Sequence, residues 1–415
     1  MEQTKYVVAL DLGTSKMLAV AAKKNGKGRL LILNSEKTAA GCSILRGRIH
    51  NIEETAENVR SLVNRLSRKL NPGIKKIYVG IGGQSLHTEY YSVKKEINGL
   101  VTEETIKYLD HECRQYEPAW AKILKIIPME YYVDGSLSKQ PKGVYCKEIE
   151  AKFLLILGRP SLENCLEKSI KEKAKIEIAG FFISPLATAE VALTERDKEL
   201  GCALVEMGAG VTYLSIYKDK LLKYLVTIPL GGNVITKDLC SLDILEAEAE
   251  KLKIKEGIAP IESEKEEKSN EIIEARANEI VANLVEQIKQ SGYESLLGAG
   301  IIMTGGGSLL QNLDKLMALK TEKQVRLAAV EDHTQACVLG LLTLGEEDCA
   351  KEVLRTPPTE PEIFDPGDVE TIKTPTSGNK GHKQRETKGE KTGKVIIDHV
   401  KKIFFGEDDN TQSNS

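Results

Sequence analysis

Apolar residues recur in short runs at the start of the chain, separated by glycines and polar residues. The runs at 6–10 and 17–22 have the length and composition of buried strands, and 30–33 predicts a third. Residues 52–70 carry apolar positions at intervals of three and four, which predicts a helix, and 76–81 predicts another strand. This succession indicates an α/β unit.

The pattern changes after the fourth strand. Thr102 and the two acids that follow it predict the start of a helix. Residues 123–133 predict either a pair of strands or one bent strand, because Pro128 interrupts them. A strand is predicted at 148–157 and a short helix at 161–173. These elements indicate a small α+β insert between two halves of a larger domain.

The parent pattern resumes after the insert. Residues 177–182 resemble a strand, and Pro185 lies in the first turn of the helix predicted after them. Residues 201–217 then repeat the opening arrangement of apolar strand, acid, two glycines, threonine and apolar strand. Two such hairpins suggest a duplicated fold with a cleft between the copies.

Further runs complete the second half. They predict a strand at 221–230, a helix after 231–233, helices at 244–252, 272–291 and 331–344, and a solvated loop at 262–268. Gly340 lies inside the last helix and predicts close packing against another helix.

The segment between the first two strands carries anion-binding chemistry. Gly13 permits a backbone conformation that a Cβ would obstruct, and Thr14, Ser15 and Lys16 add two hydroxyls and a cation. Asp11 ends the strand and could hold a hydrated Mg²⁺, which prefers carboxylate and water oxygens. This set fits the phosphates of a nucleotide. The alternative is an ordinary hairpin turn.

Two later segments offer related chemistry. The second hairpin places Glu206 before a turn that contains Gly208, Ala209, Gly210 and Thr212. A buried strand near residue 300 runs into a turn that would let the backbone approach a purine or ribose. That turn consists of Gly305, Gly306, Gly307 and Ser308. A plain strand-to-helix connection is the alternative.

The composition shifts near the C-terminus. Residues 346–393 are rich in Pro, Glu, Thr, Gly and Lys, which predicts a disordered linker that spans on the order of 35–40 Å. Residues 394–406 predict an amphipathic helix that is too short to span a bilayer but suits its interface. Its membrane-facing set is Ile396, Ile397, Val400, Lys401, Lys402, Ile403, Phe404 and Phe405. The alternative is a docking helix for a protein. Residues 407–415 are predicted to be disordered.

The composition of the chain argues against several kinds of function. The chain has 415 residues, enough for two or three domains, and a formal charge of −3, which argues against a nucleic-acid binder. Its eight cysteines include no Cys-x-x-Cys pair and do not cluster with the six histidines, which predicts reduced thiols and no protein-only metal site. We expect neither a signal peptide nor a transmembrane helix.

Several longer motifs are typical of one family. They are VVALDLGTSK at 7–16, GCSILRGRIHNIEET at 41–55, YVGIGGQSLHT at 78–88, VTEETIKYL at 101–109, IPMEYYVDG at 127–135, IPLGGNVITKDL at 228–239, EAEKLKIKEG at 248–257 and MTGGGSLLQNL at 303–313. On these motifs the chain resembles FtsA, the actin-like family of bacterial cell division, over roughly residues 5–345.

The resemblance implies an α/β fold of the actin-like ATPase type, with two lobes around a nucleotide cleft and an inserted α+β subdomain of SHS2 type. It divides the chain into subdomain 1A (1–84 and 163–198), inserted subdomain 1C (85–162), subdomain 2A (199–232 and 299–345), subdomain 2B (233–298), the linker and the tail helix.

The resemblance also implies that the cleft binds ATP and Mg²⁺. Position by position, the ATP-binding residues would be Gly13, Thr14, Ser15, Lys16, Gly208, Ala209, Gly210, Thr212, Gly232, Glu250, Lys253, Gly305, Gly306, Gly307 and Ser308. Asp11 and Glu206 would contact Mg²⁺ through water, and Glu250 and Lys253 would meet the ribose and base.

Three positions depart from the family pattern. The second phosphate loop usually begins with Asp, and here Glu206 is one methylene longer. Many relatives have an acid where Tyr213 stands, and actin-like ATPases often carry a carboxylate where Ser184 precedes the Pro-x-Ala helix. These departures leave ATP binding intact and imply at most a weak ATPase, with no catalytic base identified.

The implied partners are the C-terminal tail of FtsZ on subdomain 2B, other copies of the chain in a polymer, downstream divisome proteins on subdomain 1C, and anionic membrane lipids. The implied location is the cytoplasmic face of the inner membrane at the division septum. Two alternatives stay open: a pilus-assembly relative that binds another inner-membrane protein's tail, and a phosphotransferase or chaperone of the same superfamily.

Overall fold

The computed structural model describes residues 4–71, 73–257 and 268–350. Its strands are, in chain order, β1 (Lys5–Leu12), β2 (Lys16–Lys24), β3 (Leu30–Ala39), β4 (Ile44–Leu45), β5 (Arg48–Ile49), β6 (Lys76–Ile81), β7 (His87–Leu100), β8 (Lys122–Val133), β9 (Ser136–Ser138), β10 (Tyr145–Gly158), β11 (Glu177–Ile183), β12 (Cys202–Met207), β13 (Thr212–Lys218), β14 (Leu221–Ile228), β15 (Ile301–Thr304) and β16 (Val325–Leu327).

The helices of the same residues are α1 (Ile52–Arg68), α2 (Glu103–Gln115), α3 (Ser161–Leu166), α4 (Ser184–Ala192), α5 (Glu195–Leu200), α6 (Gly232–Leu239), α7 (Glu246–Glu256), α8 (Lys268–Gln290), α9 (Leu313–Thr321) and α10 (Ala336–Leu344). A π-helical segment, Glu167–Lys173, continues α3. Short 3-10 helices occupy Cys240–Leu242, Glu294–Leu296, Gly306–Leu309 and His333–Gln335.

Two large sheets organise these elements. The first sheet has the strand order β11-β6-β1-β2-β3, in which β1 pairs antiparallel with β2 and parallel with β6. The second has the order β16-β15-β12-β13-β14-β7-β10-β8-β9. The hairpins β1–β2 and β12–β13 hold corresponding positions, each with a parallel strand on its far side. The repeated sequence pattern thus corresponds to a repeated structural unit.

The sheets and helices enclose three apolar cores, and the first of these runs from the first sheet into the second. In the first lobe, α1, α4 and α10 contact the first sheet, and α4 and α10 pack tightly on each other. In the second lobe, α6, α8 and α9 bury a separate apolar core. A third core fills the insert, between its strands and α2. These three cores follow from the apolar faces that the sequence predicts.

The insert joins the second sheet at its root. His87 in β7 pairs with Val226 in β14, and Thr88 Oγ1 accepts a hydrogen bond of 2.9 Å from Leu225 N. Tyr90 OH lies 3.0 Å from Tyr293 OH on the second lobe. The predicted insert is therefore packed against the second lobe, although the chain enters it from the first sheet.

Most predicted elements occur, with some differences. Residues 123–133 form one strand, β8, whose register with β10 shifts beside Pro128. The 14-residue strand β7 was not predicted, because charged residues dilute its alternating Tyr, Val and Ile positions. α10 begins at Ala336 rather than at 331, and α7 begins two residues later than predicted. The predicted loop at 262–268 falls mostly outside the described residues, as do the linker and tail helix.

Candidate functional site

The tips of the two hairpins line one cavity of about 1310 Å³. The tips are in direct contact, because a Cβ at Gly210 would lie 2.5 Å from Thr14 Oγ1. Thr14 Oγ1 also accepts a hydrogen bond of 3.1 Å from Gly47 N. Residues from both lobes therefore converge on one point of the cavity wall.

Most of the predicted site residues line this cavity. They are Asp11, Gly13, Thr14, Ser15, Lys16, Glu206, Gly208, Ala209, Gly210, Gly232, Glu250, Lys253, Gly305, Gly306 and Gly307. Thr212 and Ser308 are buried behind it. Thr212 Oγ1 donates to Leu230 O at 2.7 Å, and Ser308 Oγ donates to Gly305 O at 2.7 Å. These two hydroxyls support the loops. The predicted membrane-facing set, 396–405, lies outside the described residues.

The second hairpin is tied to the first turn of α6. Gly232 N donates to Gly208 O at 2.9 Å, and Asn233 N donates to Ala209 O at 2.8 Å. A Cβ at Gly231 would lie 2.6 Å from the carbonyl oxygen of Ala209, so glycine is required for this approach. The hairpin and the start of α6 therefore form one wall of the cavity, held together by backbone hydrogen bonds.

The glycine turn after β15 approaches the end of β12. Gly305 has a φ of +86°, which an L side chain rarely adopts, and a Cβ there would lie 2.4 Å from Met207 O. A Cβ at Gly307 would lie 2.6 Å from the Met207 side chain. Backbone therefore forms this part of the cavity wall, where a flat ligand can come close.

Glu250 and Lys253 lie one turn apart on α7 and face the cavity. Lys253 Nζ donates to Glu250 Oε2 at 2.6 Å, to Thr236 Oγ1 at 2.9 Å and to Gly232 O at 3.1 Å. This cluster fixes both side chains beside the first turn of α6. The pair lies at the cavity edge, and the three contacts engage all three donors of the Lys253 ammonium.

Lys16 reaches across the cavity to the segment before α10. Its Nζ donates to Thr334 Oγ1 at 2.6 Å, and Asp332 Oδ1 accepts from Thr334 N at 2.8 Å. Burial lowers the pKa of Lys16, and the charges of Asp332 and Asp11 oppose this effect. Asp332 and Thr334 were not predicted as site residues, because the apolar pattern placed them inside a helix at 331–344. The capping pattern of an Asp before an apolar run was the available signal.

Two carboxylates meet at the floor of the cavity. Glu206 exposes part of its surface to the cavity, but its Oε2 atom is buried and has no hydrogen-bond partner among the described residues. Burial raises the pKa of Glu206 to about 8; the nearby Thr188 hydroxyl opposes this rise, and the charge of Asp11 adds to it. Burial also raises the pKa of Asp11, while the charge of Lys16 opposes it. The pair is short of positive charge.

This shortage fits a cation such as Mg²⁺, which takes one or two carboxylates together with water and phosphate oxygens. In the described part of the chain, no group of three or more His, Cys, Asp or Glu side chains could hold a metal ion.

Tyr213 fills the space below the carboxylates. Its hydroxyl accepts a hydrogen bond of 2.8 Å from Gly83 N, which links the second sheet to the loop after β6. A Cβ at Gly82 would lie 2.5 Å from this hydroxyl, and a Cβ at Gly47 would lie 3.0 Å from it. Ser184 stands against Gly80 in the same wall. A phenol and a hydroxyl thus occupy the positions where the family resemblance implied carboxylates.

The described residues contain no helix long and apolar enough to cross a membrane.

The sequence matches two described families. Residues 203–340 match "Cell division protein FtsA", and residues 83–157 match "SHS2 domain inserted in FTSA". A Cell division protein FtsA from Porphyromonas gingivalis strain W83 is 32% identical to the chain, and the alignment covers 99% of both. The protein of that name from Neisseria meningitidis is 27% identical, over 80% of this chain and 85% of the relative. That from Bacillus subtilis is 26% identical, over 79% and 80%.

Solved structures share the architecture. The PilM-PilN type IV pilus biogenesis complex superposes with a TM-score of 0.59 at 15% identity, over 81% of this chain and 97% of that chain. The ethanolamine utilization protein EutJ from Carboxydothermus hydrogenoformans gives a TM-score of 0.50 at 15% identity, over 82% and 90%. At these identities the likeness concerns the fold alone, an actin-like ATPase fold with an SHS2 domain inserted.

Proposed function

The chain belongs to the FtsA family of cell division proteins, and on that premise we propose that it binds ATP, polymerises and tethers FtsZ to the membrane at the division site. The observation that carries the nucleotide part is the convergence of two glycine hairpins and a glycine turn on one cavity. Backbone N–H groups, hydroxyls and a lysine at this point form a phosphate site.

ATP would be held by both lobes. The hairpin tips around Ser15 and Ala209, with Lys16, would hold the phosphates. Glu250 and Lys253 would meet the ribose and base, beside the turn at 305–307. Mg²⁺, when bound with the nucleotide at Asp11 and Glu206, neutralises phosphate charge. A ligand that contacts both lobes favours the closed arrangement by differential binding, and we propose that this arrangement polymerises.

We propose that hydrolysis is slow at most. A general base must reach the attacking water by a hydrogen bond. Tyr213 and Ser184 provide hydroxyls rather than carboxylates beside the cavity, and Tyr213 is held by Gly83. ATP then acts mainly as a ligand that stabilises the assembled state.

The other proposed contacts follow from family membership. The FtsZ tail would dock on the upper part of the second lobe, residues 233–298, and downstream divisome proteins on the insert, 85–162. The tail helix at 394–406 would insert into the cytoplasmic face of the inner membrane. The full-length similarity to a cell division protein supports this role over a pilus-assembly role.

ATP binding is tested by comparing the wild-type chain with Gly305→Glu. The new carboxylate would enter the wall formed against Met207, so we expect no measurable ATP binding. Gly26→Glu adds the same charge where no atom lies within 4 Å of a Cβ, and should bind ATP normally. Equal binding by all three proteins would refute the nucleotide site. Phosphate release in the same samples measures hydrolysis.

The proposed partners need separate tests. A pull-down with an FtsZ tail peptide should retain the chain, whereas retention only by another membrane protein's tail would favour the pilus-type alternative. Turnover of ATP with a small-molecule acceptor would favour a phosphotransferase. Deletion of 394–415 should abolish most sedimentation with vesicles, and unchanged sedimentation would refute the tether.

A further inference from the structure

The end of the first sheet that lies opposite the cavity carries a basic turn. β2 ends in Lys23 and Lys24, and the turn to β3 contains Lys27 and Arg29. Lys23, Lys27 and Arg29 are exposed, and none of them forms an ion pair within the described chain. Strands rise about 3.3 Å per residue, so β1 separates this end from Asp11 by roughly 20 Å.

The turn is held in one shape. Asn25 Oδ1 accepts hydrogen bonds from Lys27 N at 3.1 Å and from Arg29 N at 2.9 Å. A Cβ at Gly26 or Gly28 would meet no atom within 4 Å, so the tip projects away from the rest of the lobe. An extended surface could therefore approach the tip without meeting other parts of the lobe.

Two apolar side chains stand beside the basic ones. Leu31 is 55% exposed and Ile32 is 40% exposed, both on the edge strand β3 next to the turn, and they point to opposite faces of the sheet, so both meet a surface that approaches this edge end-on. Leu31 pairs with Lys23 in the β2–β3 register. Cations flanking exposed aliphatic side chains suit the interface of an anionic bilayer, where both kinds of group are stabilised.

The chain also leaves the described structure at this end. After α10 it crosses back over the sheet, where Lys24 Nζ donates to Gly345 O at 3.0 Å and Cys349 N donates to Tyr6 O at 2.6 Å. Ala350 then bridges to Ile74. The linker that leads to the predicted tail helix therefore begins beside the basic turn.

The acidic side chains of residues 346–350 do not neutralise the positive charge of the basic turn. Glu347 pairs with Lys76, and Glu346 lies close enough to Lys24 for their charges to interact. Asp348 is the remaining acid of this segment, and its Oδ1 accepts from Ala350 N at 2.8 Å. The positive charges of Lys23, Lys27 and Arg29 therefore remain available to an outside partner.

We propose that this end of the first lobe is a second membrane contact, in which Lys23, Lys27 and Arg29 bind anionic headgroups beside Leu31 and Ile32. The proposal rests on the tethering role proposed above, because the tail helix would bring the surface to the bilayer. Each cation near an anionic surface strengthens binding about fivefold. Two weak contacts on one chain produce stable attachment where either alone is marginal. The cavity would then face away from the membrane.

The test uses the full chain and vesicles of phosphatidylglycerol with phosphatidylethanolamine, compared with phosphatidylcholine alone. A triple variant, Lys23→Gln with Lys27→Gln and Arg29→Gln, should bind the anionic vesicles on the order of 100-fold more weakly. A matched triple variant removes the same charge from exposed lysines of the insert, Lys107→Gln with Lys125→Gln and Lys139→Gln, and should change binding less than about fivefold. A urea unfolding midpoint equal to that of the wild type verifies that each variant is folded.

The outcomes separate the two proposals. Equal losses of vesicle binding in the two triple variants, or no loss in the first, would overturn the proposal that the basic turn contacts the membrane. Deletion of 394–415 tests only the tether, and a deleted chain that binds as the full chain does would overturn that role. In the deleted background, the proposal expects weak, salt-sensitive binding that disappears when Lys23, Lys27 and Arg29 are replaced. Binding that persists without them would overturn it.

Discussion

Glu206 is an acidic side chain whose carboxylate is buried beside a second acid, which disfavours its charged form in the metal-free protein. Its Oε2 atom is buried without a hydrogen-bond partner in the described structure, and Asp11 adds a second acid to the same place. A carboxylate in this setting binds a proton more tightly than it does in water. The residue therefore lowers stability in the absence of a cation.

Replacing this side chain should reveal the conflict. The pKa of Glu206 is raised from 4.5 to about 8, so the folded state keeps a proton that the unfolded state loses. Stability of the wild type should therefore fall, relative to Glu206→Gln, as the pH rises from 4.5 toward 8, by on the order of a few kcal/mol. Urea unfolding in EDTA across this range measures it. Glu172→Gln, at an exposed position, should show no such trend. A pH-independent difference would contradict the assignment.

Tyr213 is the residue that holds the two lobes together below the cavity. Tyr213→Phe leaves the amide of Gly83 without its acceptor, and the hydrogen bond is buried. We expect the free energy of unfolding to fall by about 1–3 kcal/mol. Denaturant titration measures the loss. Tyr132→Phe, whose hydroxyl bonds to Glu130 on the insert, serves as the control. Equal small decreases in the free energy of unfolding of both variants would show that the hydrogen bond to Gly83 does not stabilise the protein more than the one between Tyr132 and Glu130 does.

At the scale of elements, α4 and α10 approach more closely than side chains normally allow. Gly340 in α10 lies against the backbone of α4, and a Cβ there would be 1.8 Å from Ala187 O. This contact joins the helix that starts beside the cavity at Ser184 to the helix that follows Thr334. Helix packing therefore determines the position of both cavity walls.

Gly340→Ala should separate these helices. Alanine favours a helix by about 1 kcal/mol over glycine, but the clash with Ala187 O requires backbone movement. We expect a net destabilisation of about 3 kcal/mol, read from thermal or urea unfolding. Gly26→Ala, in open space, is the matched control. A stabilised Gly340→Ala variant would show that the helices are not in contact.

Asp197 joins α5 to the edge of the second sheet. It accepts from Thr194 N at 3.0 Å as part of the helix cap and from Arg326 Nη2 at 2.7 Å. Burial acts to raise the pKa of Asp197, but these hydrogen bonds more than offset it, so the net pKa is lowered from 3.8. The charged form therefore stabilises the fold.

Asp197→Ala should cost about 2 kcal/mol near neutral pH, because the cap and the ion pair are both lost. The ionic part is present above pH 3.8 and disappears as the pH falls through the lowered folded-state pKa. Wild type and variant should therefore converge in acid. Arg326→Ala keeps the cap and should lose less. A constant gap down to low pH would contradict the ionic contribution.

For the whole molecule, the decisive feature is that two lobes build one cavity, although one apolar core runs from the first sheet into the second and another fills the second lobe alone. Their hairpin tips meet where Thr14 contacts Gly210. A nucleotide that touches both tips should stabilise both lobes at once. A free ligand concentration a hundredfold above the dissociation constant should add about 2.7 kcal/mol to the free energy of unfolding.

Gly210→Ala tests this coupling. Its Cβ would clash with Thr14 at the cleft, so the two hairpin tips would be held apart while the apolar cores stay packed. We expect near-normal stability without ligand and loss of most of the stabilisation by Mg²⁺ with ATP, measured by thermal shift. Gly26→Ala should respond as the wild type does. Full stabilisation of Gly210→Ala would show that closure of the tips is not needed.

The sequence by itself determined the local elements and the repeated hairpin. Strand and helix periods, Pro185 in the first turn of α4 and Thr102 at the start of α2 act over a few neighbouring residues. Glycines at fixed positions also identified the segments that line the cavity. The strand β7 was missed, because charged residues lie among its alternating Tyr, Val and Ile positions.

Tertiary structure alone decided which of these segments meet. Gly83 and Tyr213 are 130 residues apart in sequence, and Lys16 and Thr334 are 318 apart. Tertiary packing also buries Glu206, which raises its pKa. It likewise brings Gly345 beside Lys24 at the end of the first lobe. Contacts of this kind depend on how whole sheets and helices pack, and no local pattern of residues records that packing.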